Sequence, residues 1–355
     1  MTSDEGQDPG VLSEADLALL QAMQLSPRAR WKDIGDTLGI DPVTAARRWR
    51  RLEADGRVWT TCGPALENTT AFAYVEIRCA HGAVSRVAAQ IARMPHAMTV
   101  DLTSGEQDLL VTVIARDPVE LSDFVLDGLA RVEGIRSTVT HPIVTLHVEA
   151  SQWHVRILGR RQVDGIRASA DPAQRGRPAA RLQRLDDADW EMALRLGLDG
   201  RTPLAELAAA AGMSESKAQR RLRLLQSRGQ LRVRAEVSRF ASPTPVLAWL
   251  FADTPTTRTA EVAARLSLCP EIRAVASLVG RRQLLLAVWV TSTDHLRLFE
   301  AKVEENLPHV TITDRRLVIR PVKRMGRILD RRGRAVEHVP VDLRIPAAGP
   351  WDHLT

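Results

Sequence analysis

The chain has 355 residues, 45% of them hydrophobic and 26% charged, which excludes a disordered chain and is too long for one ordinary core. Lysine and arginine outnumber aspartate and glutamate 49 to 43, a formal charge of +6 that favours an anionic partner such as nucleic acid. The three cysteines, Cys62, Cys79 and Cys269, form no CxxC pair, which argues against a disulfide framework and a zinc site.

From the N-terminus, Glu14 to Met23 places Leu17 and Leu20 at helical spacing. A second helix, from about Arg30 to Leu38, sets Trp31, Ile34 and Leu38 on one face, and Gly39 supplies a tight turn. Asp41 as N-cap and Pro42 at the first helical position open a third helix, which Gly56 stops. On it Ala45, Trp49 and Leu52 form a buried stripe, leaving Val43, Thr44, Arg47, Arg48 and Arg51 outward or marginal. Helix, glycine turn and capped helix with a basic outer face is the helix-turn-helix pattern, whose second element lies in the major groove of double-stranded DNA. Guanidinium groups there suit both phosphate and guanine edges. The bland alternative is a solvated basic face, and Arg47, like Arg220 further along the chain, is also a candidate for holding the motif together.

Residues 71–78 alternate as a strand, and 83–93 carry Val84, Val87, Ala88 and Ile91 on one helical face. MTVDLTSG and DLLVTVIA read as strands around a Gly105-Glu106-Gln107-Asp108 turn. Leu121, Phe124, Val125 and Leu129 make a second helical stripe, and IRSTVTHPIVTLH closes as a strand. The order is βαββαβ, a ferredoxin-like split unit. The following stretch, 156–181, is rich in Arg, Ala, Gly and Pro without a clear period and reads as a linker.

Leu12 to Asp16 then recurs as Leu185 to Asp189, an offset of 185 − 12 = 173. Arg28 falls on Arg201, Gly39 on Gly212, Arg47 on Arg220 and Gly56 on Gly229. Behind an N-cap at Ser214, Ala218, Leu222 and Leu225 face inward, with Lys217, Arg220, Arg221 and Arg228 displayed. Further on, Gly105 matches Gly280 and Thr138 matches Thr313, an offset of 280 − 105 = 175. Two basic helices in matching register favour DNA over a merely solvated face. The expected fold class is α+β. Two winged/helix-turn-helix units, 12–60 and 185–235, alternate with two ferredoxin-like units, 69–149 and 243–322. Residues 150–184 are the linker and 323–355 a basic tail with no assigned role.

LSEADLALL, LGIDPVTAARRWRRLEADGRV, PHAMTVDLTSGEQDLLVTV and VEGIRSTVT resemble the Lrp/AsnC (feast/famine) family of bacterial transcription regulators. The resemblance covers nearly all of 12–147 and, more loosely, 185–320. It implies DNA binding, a ligand-binding (RAM-type) unit that assembles dimers or higher homo-oligomers through its sheets, and an amino-acid effector. In that family a G-x-x-D loop and threonines on the last strand surround the effector, at positions matched here by Gly105, Asp108, Thr138 and Thr140. Carboxylate, hydroxyls and glycine N–H groups suit a zwitterion. The alternative is a turn aspartate and strand threonines chosen for geometry.

The second copy departs from the pattern, with Gln283 for Asp108 and Arg315 for Thr140. Because the family usually carries one copy per chain, the two ferredoxin-like units are expected to pair within one chain and to carry two unlike reading heads. No catalytic residue, metal or cofactor is expected, since there is no nucleophile elbow, phosphate loop or HExxH. With no signal pattern in MTSDEGQDPG and no apolar run near the ~20 residues of a bilayer span, a cytoplasmic protein without a membrane partner is expected. Two rival readings stay open: a sirohaem-decarboxylase-like enzyme of the same architecture, and an effector-sensing or assembly protein that does not bind DNA. The single tyrosine, Tyr74, and scattered histidines speak against the first.

Overall fold

The computed structural model describes residues 10–64, 71–175 and 185–348. The chain opens with α1 (Glu14–Leu25), α2 (Trp31–Leu38), α3 (Pro42–Ala54) and β1 (Val58–Pro64). Ser13 caps α1 by accepting from Asp16 N, and Asp41 caps α3 by accepting from Val43 N and Thr44 N. Gly39 ends α2 at φ 70°, the left-handed conformation in which glycine carries no Cβ penalty. Ile34, Ala45, Trp49 and Leu52 then close one core with Leu19, Leu20 and Met23 of α1.

There follow β2 (Ala71–Cys79), α4 (Val84–Ala92), β3 (Ala97–Thr103), β4 (Leu109–Ala115), α5 (Pro118–Asp123) and β5 (Ile135–Val148). The helix after β4 turns into a π-helical stretch over Phe124–Gly128. After α6 (Arg160–Ser169) the same order returns. It comprises α7 (Asp187–Leu198), α8 (Leu204–Ala210), α9 (Glu215–Ser227), β6 (Leu231–Val237), β7 (Val246–Asp253), α10 (Thr259–Leu266), β8 (Ile272–Leu278), β9 (Leu284–Val290), α11 (Thr293–Asn306) and β10 (Thr311–Arg324). The fold is α+β.

Strand pairing ties the halves together. Each unit forms a four-stranded antiparallel sheet, β3-β4-β2-β5 and β8-β9-β7-β10. β5 and β10, 14 residues each, are long enough to serve two sheets. The first half of β5 pairs with β2 and its second half with β8; β10 pairs first with β7 and then with β3. Eight strands therefore close into a ring, which removes the open edges that single sheets would present. The spacing of 175 holds pair for pair: Ala71↔Ala115 corresponds to Val246↔Val290, and Ile143↔Leu278 to Val318↔Thr103. β1 and β6 form a separate antiparallel ribbon, Val58 opposite Val237. The strand after each third helix thus pairs with its counterpart and does not fold back as the wing the sequence suggests.

Two other expectations change. The stretch read as a linker contains α6, which packs on α1 and α2 with Ile166 fully buried. Gln21 Oε1 accepts from Ile157 N and Leu158 N at 2.7 and 2.6 Å, and Gln24 Oε1 from Val155 N at 2.9 Å. Its order comes from glutamines more than a hundred residues away, so local periodicity carries no trace of it; 176–184 lie outside the described residues. The basic tail adds β11 (Arg327–Leu329) and β12 (Ala335–His338) beside β10. Ala335 N donates to Gly56 O at 2.9 Å. Any Cβ at Gly56 would lie 2.4 Å from Ala335 O, so that approach, together with a φ of 65°, requires glycine.

Candidate nucleic-acid interface and interior cavity

α3 presents Val43 at 73% exposure and an exposed Arg47, with Thr44 half-buried. Arg47 makes no hydrogen bond or ion pair among the described residues. Arg48 and Arg51 are engaged: Arg48 Nε lies 3.6 Å from Asp16 Oδ1, and Arg51 Nη2 lies 4.0 Å from Asp16 Oδ2. The equivalent pair in the second unit is tighter. Arg221 donates to Asp189 from Nε at 2.7 Å and Nη2 at 2.6 Å, and Asp189 is fully buried. The arginine that holds the motif together is therefore 48 and its counterpart 221, not 47 and 220. The reason is helical phase: one residue further on swings the guanidinium from the outer face back toward α1 or α7.

The two outer faces are not alike. On α9, Lys217 and Arg220 are exposed, and the segment after α6 lies beside them. Arg223 Nε donates to Asp171 Oδ2 at 2.8 Å, and a 3-10 turn over Pro172–Arg175 packs on α9. Pro172 and Ala173 border a groove with Lys217, Arg220, Leu224 and Ser227, a stripe at i, i+3, i+7 and i+10 that is the outward face of the helix. On α3 the residue matching Arg223, Arg50, is exposed and unpaired among the described residues.

Among the described residues, Gly105, Asp108, Thr138 and Thr140 make separate contacts. Asp108 Oδ2 accepts from Cys79 N at 2.7 Å. Gln283, which replaces Asp108 in the second unit, does the same for Thr254 N at 3.0 Å, and Thr254 is the counterpart of Cys79 at the 175 spacing. Both side chains close a turn. Gly105, at φ 103°, sits under the Arg316 guanidinium, whose Nη1 would be 2.1 Å from any Cβ there. Thr138 and Thr140 stand opposite Ile77 and Val75, on the sheet face turned to the helices. Thr140 borders an open groove, with Arg116, Leu121, Leu126 and Ile143.

Sequence reading missed the charge inside the ring. At one end Glu76 accepts from His141 at 2.9 Å and from Arg282 and Arg316 at 3.2 Å each, while Asp314 pairs with both arginines at 2.8 Å. Elsewhere Asp101, Glu236, Trp249, Arg273, Trp289 and Arg324 surround a cavity of about 80 Å³. The only sequence signal was polar residues at strand positions that alternation assigns to an inner face.

The family model for the AsnC-type helix-turn-helix domain matches residues 12–53, and that for the Lrp/AsnC ligand binding domain matches 72–153. An uncharacterized HTH-type transcriptional regulator of Pyrococcus horikoshii is 33% identical over 138 residues, 37% of this chain and 92% of that protein. The HTH-type transcriptional regulator FL11 of Pyrococcus furiosus is 24% identical over 150 residues, 41% of this chain and 99% of that one. Among solved structures, the siroheme decarboxylase NirDL superposes at a TM-score of 0.56 over 88% of this chain and 93% of its own, at 15% identity. That likeness shows the fold alone.

Proposed function

The chain belongs to the Lrp/AsnC family, and on that premise we propose that it is a sequence-specific DNA-binding transcriptional regulator tuned by a small effector. Two helix-turn-helix units sit on one ring built from two ferredoxin-like units. The observation that carries this reading is the outer face of α3: an aspartate-capped helix end with Val43 and Thr44, followed by an exposed Arg47 that is unpaired among the described residues. Recognition helices read base edges from their N-terminal part, where these residues stand. Arg51, 65% exposed and only loosely tied to Asp16, suits a phosphate contact further along the groove. Names of relatives in two Pyrococcus species agree with this reading.

The ring already joins two ferredoxin-like units within one chain, so one copy presents two helical heads. Association of further copies through exposed apolar residues such as Leu126, Val144 and Ile319 belongs to the same proposal. Footprinting on the DNA upstream of its own gene tests the reading. Arg47→Ala is expected to weaken binding by about 1–3 kcal/mol if it makes a bidentate base contact, or to reduce the salt slope by about one unit if it meets phosphate. No protected site, or an unchanged affinity and slope in the variant, would refute it.

The fold likeness to NirDL favours a second reading, tetrapyrrole chemistry inside the ring. A second structure of that enzyme is in co-complex with an iron-uroporphyrin III analogue. Here Trp249, Trp289 and Arg273 fill the interior down to about 80 Å³, far below the roughly 300–1,000 Å³ of cofactor-sized sites. A shifted absorption spectrum on adding a sirohaem analogue would reinstate it.

A further inference from the structure

Inside the ring one buried ion pair is left open. Asp101 on β3 is 1% exposed and Arg324 on β10 is 8% exposed, and the two strands pair across the seam between the ferredoxin-like units. Asp101 Oδ2 accepts from Trp249 Nε1 at 3.1 Å, while Oδ1 has no hydrogen-bond partner among the described residues. Arg324 Nη2 stands 3.7 Å from that oxygen, beyond hydrogen-bond range. Among the described residues the Arg324 guanidinium makes no hydrogen bond at all. Buried charged groups left without partners are costly, and both of these border the same cavity of about 80 Å³.

The charges around that cavity do not cancel. Glu236 is shared by Arg273 at 2.5 Å and Arg234 at 3.1 Å, and Asp101 faces Arg324. Glu149, buried nearby, is matched by Arg232 at 3.3 Å. One positive charge is left in excess. Arg239, outside the cavity wall, adds to the same sign, because it spends its donors on the carbonyls of Pro245, Val318 and Ile319. The Trp289 ring, 4.0 Å from Arg273 and 5.0 Å from Arg324, offsets part of the excess. Much of the remaining wall is apolar, with Met98, Leu146 and Leu247, so the uncompensated charge acts on the cavity with little screening.

A fitting occupant carries a single negative charge, acceptors for the guanidinium fork and one hydrogen for Asp101 Oδ1. Water and zwitterions lack the charge; halides and nitrate lack the hydrogen. The volume, about 80 Å³, exceeds the roughly 10–15 Å³ that one water needs and limits the occupant to a few heavy atoms. We propose that this cavity binds bicarbonate. Two of its oxygens accept from the Arg324 fork, the planar arrangement that guanidinium favours, and its hydroxyl donates to Asp101 Oδ1. Bound there, the anion ties β3 of the first unit to β10 of the second. Its occupancy does not depend on what the helical heads read.

Calorimetric titration of the full chain with bicarbonate and with the isosteric nitrate, in sealed cells at fixed pH and ionic strength, tests it. One saturable site per chain is expected, with bicarbonate bound about tenfold or more tighter than nitrate, which has no hydrogen for Oδ1. Arg324→Met should abolish binding of both. In Asp101→Asn the Trp249 N–H keeps the amide oxygen at the Oδ2 position, so the amide nitrogen, a donor, replaces Oδ1. That variant should bind nitrate about tenfold or more tighter than the parent does and lose the preference for bicarbonate. Should Arg324→Met not fold, the isosteric Asp101→Asn carries the test by itself. No saturable binding of bicarbonate to the parent (a cavity holding water only), equal affinity for the two anions, or an unchanged preference in Asp101→Asn overturns the proposal.

Discussion

Asp16 and Asp189 decide which arginines of the two third helices are available. Both occupy the third position of their first helix, and both draw in the arginine at 48 or 221. Their grip differs. Asp189 is fully buried and bonded twice by one guanidinium, whereas Asp16 is reached only at 3.6 and 4.0 Å by two. Asp189→Ala is expected to destabilise by about 2–3 kcal/mol, because it strips a buried charge-assisted pair, whose loss costs more than an exposed one. Asp16→Ala should cost about 1 kcal/mol or less. Urea unfolding of the two variants checks the order, and an equal or reversed ranking contradicts it. This level was only partly legible in sequence. Caps and buried stripes follow from neighbours three or four residues apart, and Ser13, Asp41, Trp49 and Leu52 stand where those rules place them. The Arg221–Asp189 pair spans 32 residues, and nothing in local spacing distinguishes residue 221 from 220.

Among the elements, the segment after α6 makes the two heads unequal. Its Asp171 holds Arg223, and Pro172 and Ala173 border the stripe of Lys217, Arg220, Leu224 and Ser227. A helix with a segment tethered beside its outer face sits less closely in a groove of about 12 Å. Arg220→Ala should therefore change operator affinity by less than about 0.5 kcal/mol, against the 1–3 kcal/mol expected for Arg47→Ala. Removing the tether with Asp171→Ala should make Arg220→Ala matter. Gel shifts at one fixed salt concentration compare these variants with the parent; equal losses for Arg47→Ala and Arg220→Ala in the parent background would mean that both helices read DNA. The repeat made both basic helices visible in sequence and gave the βαββαβ order. It could not show the strap, since a segment of Arg, Ala, Gly and Pro acquires its place only from the surface it meets. The ring was half legible: pairing within each sheet follows from strand order, but the exchange of β5 and β10 between sheets depends on their 14-residue length and the bend between two registers.

At the scale of the whole molecule, a pair of arginines sets how the two heads sit against each other. Arg28 donates to Gly200 O at 2.7 Å and Thr202 O at 3.0 Å; Arg201 donates to Pro27 O at 2.6 Å and Ala29 O at 2.8 Å. Each arginine bonds the carbonyls flanking the other, because 27, 28 and 29 map on 200, 201 and 202 at the spacing of 173. This is the self-complementary contact of a two-fold interface, here within one chain. Burial pushes Arg201 down to about 10, and the Trp31 ring, 4.1 Å below it, offsets part of that desolvation. Together with the β1–β6 ribbon, these bonds fix the distance between α3 and α9 without help from the ring. Arg28→Ala and Arg201→Ala are each expected to lose about 2 kcal/mol, two charge-assisted bonds less the relief of burying a cation. In the double variant the helical units should melt ahead of the eight-stranded ring. Near-ultraviolet dichroism would then resolve two transitions where the parent shows one. A single transition at the parent's midpoint would mean that the ribbon alone sets the geometry of the heads.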